Sequence, residues 1–154
     1  MRFQFYTYLV VFYNGLMKKG MKMKYIVDIL PLNRSVACID SINEAPNDII
    51  EEWNKTKTNA MTYVYNGDVY IVFNRVDKKV GAGILCHEVY HAVNRLFDII
   101  GYKVDTTNDE IGAYLMEFIY KELYDFIFYP QRVMKKAKKD TKDFDKIYPK
   151  EERK

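Results

Sequence analysis

The chain of 154 residues contains few histidines, cysteines and prolines, and it has no long apolar run. Its two histidines exclude every metal site that needs three of them. Its two cysteines fall in separate predicted elements and give no disulfide framework, which is typical of the reducing cytoplasm. The aromatic segment 3–17 is shorter than the ~20 residues of a membrane span, and it lacks the cleavage site of a secretion signal. We therefore expect a cytoplasmic protein that does not interact with a membrane.

Apolar and aromatic residues are abundant. Hydrophobic residues make up 49% of the chain, with 14 Tyr and 9 Phe, which is enough for one domain with a sizeable core. We assign this domain to residues 21–130. Residues 1–20 are predicted to be an N-terminal extension, with an added aromatic strand as the alternative.

The positive charge is concentrated at the C-terminus. Residues 131–154 carry ten Lys/Arg against five Asp/Glu, a net charge of +5; since the whole chain carries +3, the preceding residues carry −2. Such a basic tail is more typical of a solvated, partly disordered extension than of a nucleic-acid-binding arm, which we keep as a competing hypothesis.

Both histidines occur in one pentapeptide, His87-Glu88-Val89-Tyr90-His91. Residues four apart lie on the same face of a helix, so both imidazoles can reach one cation. Glu88 points to the adjacent flank, where it can hold a water bound to that cation. This HExxH pattern predicts a metal site.

The surrounding residues predict the helix that this site needs. Residues 84–100 lack proline and glycine, and Gly101 follows as a helix stop. Helical periodicity separates an apolar back from a polar front that carries the histidines. The back consists of Leu85, Val89, Ala92, Leu96 and Ile99, and the front of His87, His91, Asn94, Arg95 and Asp98. The competing interpretation is a buried helix whose histidines hydrogen-bond to polar neighbours.

A catalytic zinc site needs a third protein ligand, which here must be a carboxylate or a cysteine. A second predicted helix, residues 108–128, offers Glu110 and Glu117, and the spacing alone does not decide between them. Glu110 also fits a capping box with Thr107, which is a purely structural role. Cys86 points away from the ligand side and is expected in the core.

The pattern His87-Glu88-x-x-His91 followed by Glu110, 19 positions after His91, resembles the gluzincin metallopeptidases. The resemblance covers about 40 residues and implies that His87, His91 and Glu110 bind Zn²⁺ and that Glu88 is the general base. Asp109 precedes Glu110 where gluzincins often have asparagine, and Tyr114 stands where they have aspartate. A metal-bound imidazole usually donates its other N–H to a carboxylate or carbonyl, and Tyr114 offers no carboxylate that could orient His87 in this way.

Cys38 gives a weaker similarity, to the peptide deformylases, which combine HExxH with an upstream cysteine. Its neighbours, residues 36–40, predict a buried strand rather than the loop of that family.

The remaining pattern predicts an α+β fold in which a small β-sheet precedes the HExxH helix and a second helix. By the resemblance, this order is zincin-like and the second helix donates a metal ligand. Residues 25–29 and 36–39 are predicted strands, and a helix beginning near Pro46 has Ile49, Ile50 and Trp53 on one side. Residues 61–65 and 69–73, joined through Asn66-Gly67, predict a hairpin. By the resemblance, residues 69–73 are our candidate for the strand that binds an extended substrate, with a plain core strand as the alternative.

These features predict a zinc-dependent hydrolase, and specifically a peptidase acting on a peptide or protein substrate. A second electrophile beside the reacting carbonyl is expected from Tyr90, Tyr102 or Tyr114. Tyr90 is predicted to point away from the ligands, so we favour Tyr114, and the alternative for each tyrosine is a packing role. The alternative function is a catalytically inactive zincin-like binding protein that keeps the metal site. Iron or manganese would also suit two imidazoles and a carboxylate. In its size and lysine-rich composition the chain looks like compact zincin-type proteins of phage genomes.

Overall fold

The structure of the protein is a computed structural model, described for residues 6–11, 23–29, 32–56, 58–73, 80–105, 107, 109–133 and 135. These residues form five strands and three helices of ten or more residues, which confirms the α+β class. The strands are β1 (Tyr6–Val11), β2 (Met23–Ile29), β3 (Arg34–Ile39), β4 (Ala60–Tyr65) and β5 (Asp68–Phe73). The helices are α1 (Asn47–Thr56), α2 (Ala82–Ile100) and α3 (Glu110–Phe128).

The five strands form one mixed sheet in the order β1-β2-β3-β5-β4. Only the β3–β5 pair is parallel; the other neighbours are antiparallel. The segment between β3 and β5 contains a turn of 3-10 helix (Ile42–Glu44), α1 and β4. Strand β1, which lies within residues 1–20, belongs to this sheet and pairs with β2. Residues 136–154, most of the predicted basic tail, lie outside the described residues.

The predicted hairpin is confirmed as β4 and β5. Asn66 and Gly67 have φ angles of 53° and 81°, as the two central residues of a type I′ turn require. This tight turn fixes the register, in which Tyr65 faces Asp68 and Thr62 faces Ile71. Alternate side chains of β4 therefore point to opposite faces of the sheet.

Helices cover the two faces of the sheet unequally. Trp53 of α1 is buried on one face with Tyr63 and Val72, and Ile49 and Ile50 pack beside it as predicted. Helices α2 and α3 cover the other face and bury most of the core there. Leu85, Val89, Ala92 and Leu96 of the predicted apolar back of α2 are fully buried, whereas Ile99 is only partly buried.

Helix α2 ends at Gly101, as predicted. Gly101 has a φ angle of 68°, and its N–H donates to the carbonyl of Asp98 at 3.2 Å. The N–H of Tyr102 donates to the carbonyl of Phe97 at 2.9 Å, and the two rings lie 4.7 Å apart, centroid to centroid. These bonds and the ring contact form the usual glycine-terminated helix end.

Three predictions about side chains and strands are wrong. Cys86 is exposed rather than part of the core, whereas Cys38 is buried in β3 as expected. Strand β5 is paired on both sides, so residues 69–73 form the core strand of the alternative interpretation, and the free edge of the described sheet next to α2 belongs to β4. No capping box forms: α3 begins at Glu110 after Asp109, and the Thr107 hydroxyl donates to Asp105 at 2.7 Å. Thr107 therefore bonds to Asp105 within a local turn instead of capping α3.

No helix among the described residues is long and apolar enough to cross a membrane.

Candidate metal centre

The two histidine rings converge above the exposed front of α2. Their Nε2 atoms lie 3.1 Å apart, and the rings are nearly perpendicular, with centroids 4.6 Å apart. An ion ~2.1 Å from both nitrogens would form an N–metal–N angle of roughly 95°, slightly smaller than the tetrahedral angle. The same separation also lets a protonated Nε2 donate a hydrogen bond to the other nitrogen. Two converging imidazoles on an exposed face fit a divalent ion.

Glu88 lies on the flank of α2 that faces the edge strand β4. Its side chain is buried, with 6% of the residue exposed. Its Oε2 accepts a hydrogen bond from the Thr62 hydroxyl at 2.7 Å, and the Glu88 carbonyl lies 3.1 Å from the same hydroxyl. The carboxylate is therefore held by packing and by a residue of the edge strand.

The opposite flank of α2 faces α3. A Cβ atom added to Gly112 would lie 3.4 Å from the ring of Phe97, so the helices approach closely at this glycine. The end of α2 thus meets the start of α3, and the two helices run in opposite directions. For antiparallel helices of equal rise, the residue six positions before Phe97 on α2 matches the residue six positions after Gly112 on α3. This register would place His91 level with Phe118.

This register separates the two candidate acids. In this register Glu117 lies one residue from the level of His91, whereas Glu110, the first residue of α3, lies eight residues or about 12 Å from it. Both side chains are exposed. Glu122, nearer the level of His87, accepts a hydrogen bond from the Tyr25 hydroxyl at 2.8 Å. Within the described ranges, no three His, Cys, Asp or Glu side chains are grouped as metal ligands.

The three candidate tyrosines occupy different surroundings. Tyr114 is 60% exposed on α3, and Tyr102 packs against Phe97. The ring of Tyr90 lies 6.1 Å from that of His91, centroid to centroid, although the sequence predicted that Tyr90 would point away from the ligands. The side chain of Tyr90 is long enough for its ring to lie back along the helix surface, toward His91.

Sequence reasoning missed Thr62. The signal was available, because Thr62 and Val64 share one face of the predicted strand 61–65, and a hydroxyl buried on such a face needs a partner. The sequence did not show that Glu88 is this partner.

Comparisons of the chain with protein-family models, with curated proteins and with solved structures found no match.

Proposed function

We propose that the protein is a zinc-dependent peptidase of the zincin type, with His87 and His91 as two of the metal ligands and Glu88 as the general base. The observation that carries the proposal is the pair of Nε2 atoms 3.1 Å apart beside the buried Glu88 carboxylate. A structural histidine pair would account for the rings alone, whereas the proposal also gives a chemical role to Glu88, the buried acid next to His87 in the chain.

In this proposal Glu88 takes the proton of the attacking water as the water oxygen bonds to the scissile carbonyl carbon. Glu88 then returns the proton to the leaving amine as the C–N bond breaks. The Thr62 hydroxyl would hold the carboxylate on the β4 flank of α2 throughout. Zinc bound at this site would lower the pKa of water and polarise the carbonyl. The sequence favoured Tyr114 as the second electrophile, whereas Tyr90 is the one of the three candidate tyrosines whose ring is recorded near a histidine ring.

The edge of β4 offers a place for an extended peptide. In a two-residue hairpin, the residues flanking the turn form a hydrogen-bonded pair, and alternate pairs then point their amide groups outward. The N–H and C=O groups of Thr62 and Val64 therefore point away from β5. The Ala60 carbonyl, which points the same way, accepts a hydrogen bond from Thr58 at 2.7 Å. A substrate strand paired with Thr62 and Val64 would lie beside Glu88.

The third ligand remains a choice between two glutamates. The resemblance to gluzincins implied Glu110, whereas the register of α2 and α3 favours Glu117. Either carboxylate would complete the set of two nitrogens and one oxygen that catalytic zinc accepts.

Elemental analysis of the purified protein, combined with digestion of an unstructured protein, tests the proposed function. We expect about one zinc per chain, and cleavage that a chelator stops and added zinc restores. Stoichiometric zinc without cleavage would instead support the binding protein. Restoration only by iron or manganese would keep the site and change the metal.

A further inference from the structure

A cavity of about 330 Å³ lies between α2, α3 and the loop that joins them. Its walls are largely apolar and include Val93, Phe97, Val104 and Met116. The close helix approach at Gly112 forms one side of it. The volume falls at the lower end of the range for small-ligand sites, and it suits a single long side chain.

The cavity adjoins the histidine pair. Tyr90 lines it, and the ring of Tyr90 lies 6.1 Å from the ring of His91. Asn94 also lines it and is held in place, because its Nδ2 donates to the carbonyl of Tyr90 at 2.9 Å. The cavity opens on the α3 flank, whereas Glu88 and β4 occupy the other flank. A peptide whose scissile bond lies at the histidines could thus place one side chain in it.

The polar part of the cavity is acidic. Asp105 and Asp109 line it, and among the residues that the structure describes here no lysine or arginine lines the cavity. The backbone N–H and the hydroxyl of Thr107 donate to Asp105 at 2.8 and 2.7 Å, and these bonds lower the pKa of the carboxyl. Asp109 precedes α3 but makes no side-chain capping bond, so its carboxylate is not committed to the helix. Both charges are available to a cation.

We propose that this cavity binds the side chain of a lysine or arginine of the substrate, with the apolar stem between Phe97 and Met116 and the cationic head at Asp105 and Asp109. Such side chains combine an apolar stem with a charged end, as the cavity combines apolar walls with an acidic part. The proposal rests on the peptidase function and specifies its substrate.

Small probes test the cavity without any catalysis. Backbone NMR spectra of the metal-free protein would be recorded during titration with hexylamine, 1-hexanol and hexanoate, which share a stem and differ in the head group. We expect hexylamine to shift the amide signals of Phe97, Gly112 and Ala113 and to bind about fivefold more tightly than hexanol. Hexanoate should bind most weakly. Equal binding of the three probes, or no shift at these residues, would overturn the proposal.

Variants locate the charge preference. Asp105→Asn combined with Asp109→Asn should remove the advantage of hexylamine and keep the binding of hexanol. Asp125→Asn, an exposed acid near the other end of α3, is the matched control and should change nothing. Ala113→Lys, which places a competing cation at the cavity from an exposed helix position, should weaken hexylamine binding in a chain that folds normally. Unchanged amine preference in both cavity variants would contradict the assignment.

Peptide cleavage separates this proposal from the function on which it rests. In a series that varies one position between lysine, norleucine and glutamate, we expect kcat/KM to fall about tenfold from lysine to norleucine and further to glutamate. Cleavage without this order overturns the cavity proposal alone. Amine binding in the NMR titration without any cleavage overturns the peptidase and leaves a cation-binding cavity.

Discussion

The two flanks of helix α2 differ in how firmly the folded chain holds their acidic side chains. On the β4 flank, Glu88 is buried and its carboxylate accepts a hydrogen bond from Thr62. On the α3 flank, Glu110 and Glu117 are exposed, and an apolar cavity with an acidic rim separates the start of α3 from the histidines. The group proposed to move protons is thus fixed by the folded chain itself.

The difference follows from the cost of burying charge. A buried carboxylate must have a partner in the folded chain, and Thr62 supplies one. An exposed glutamate keeps its water and needs no partner until a cation attracts it. We therefore expect metal binding to reorganise the α3 flank and to leave the β4 flank almost unchanged.

The substitution Glu88→Gln should have the largest effect. The amide oxygen can still accept the hydrogen bond from Thr62, but the side chain no longer takes a proton, so kcat should fall about 10²–10⁴-fold. Zinc content should stay near one per chain. Asp98→Asn, which removes an exposed acid from the same face of α2, should retain activity. Near-normal turnover by Glu88→Gln would remove Glu88 from the base role.

Zinc affinity of two alanine variants should identify the third ligand. Because Glu117 lies near the level of His91, we expect Glu117→Ala to weaken binding by more than the roughly 10–100-fold seen for groups that only support ligands. Glu110→Ala should then bind zinc nearly normally, and a competitive chelator assay measures both. The reverse order would restore the ligand set implied by the gluzincin resemblance. If both variants bind zinc normally, neither glutamate is a ligand.

The hydroxyl of Thr62 should stabilise the β4 flank measurably. Thr62→Val leaves the Glu88 carboxylate without this donor, and we expect a loss of about 1–3 kcal/mol in the free energy of unfolding together with lower kcat. Thr58→Val is the matched control, because it also removes a hydroxyl bond at the same strand but one made to the Ala60 carbonyl. Its cost should be about 0.5–1.5 kcal/mol, with unchanged kcat. Equal effects on kcat would show that Thr62 does not act through Glu88.

Zinc addition should change the two flanks unequally. At a free zinc concentration ten times the Kd, amide hydrogen exchange in the first two turns of α3 should slow by up to about tenfold if local opening releases the metal. The amides of Thr62 and Val64 should exchange at nearly the same rate as before. Equal slowing on both flanks would mean that β4 is no better organised than α3.

Local patterns in the sequence identified most of the fold. The Asn66-Gly67 turn, the stop at Gly101 and the apolar back of α2 depend on neighbours within a few residues, so the sequence predicted them correctly. The order of the strands could not be obtained this way. In the local hairpin, one edge of β5 is free. In the folded chain this edge pairs with β3, a contact between residues that are far apart in the sequence.

The sequence predicted the part of the candidate site that lies on α2, but not the contacts that α2 makes with α3 and β4. His87, Glu88 and His91 share one helix, and helical geometry alone brings them together. The position of Glu117 relative to His91 depends on the close packing of Phe97 at Gly112, and the bond from Thr62 depends on the placement of α2 over β4. Both are tertiary contacts, for which helix and strand periodicity contain no information.

Trp53 provides an internal optical reporter of the sheet. It is the single tryptophan, and it is buried with Tyr63 on one face of the sheet. Thr62, the residue before Tyr63, points to the opposite face of β4 and bonds to Glu88. Its emission should therefore follow the loss of the α1 layer during unfolding, while far-ultraviolet circular dichroism is dominated by the two long helices on the other face. Coincident transitions of the two signals would show that the layers unfold as one cooperative unit.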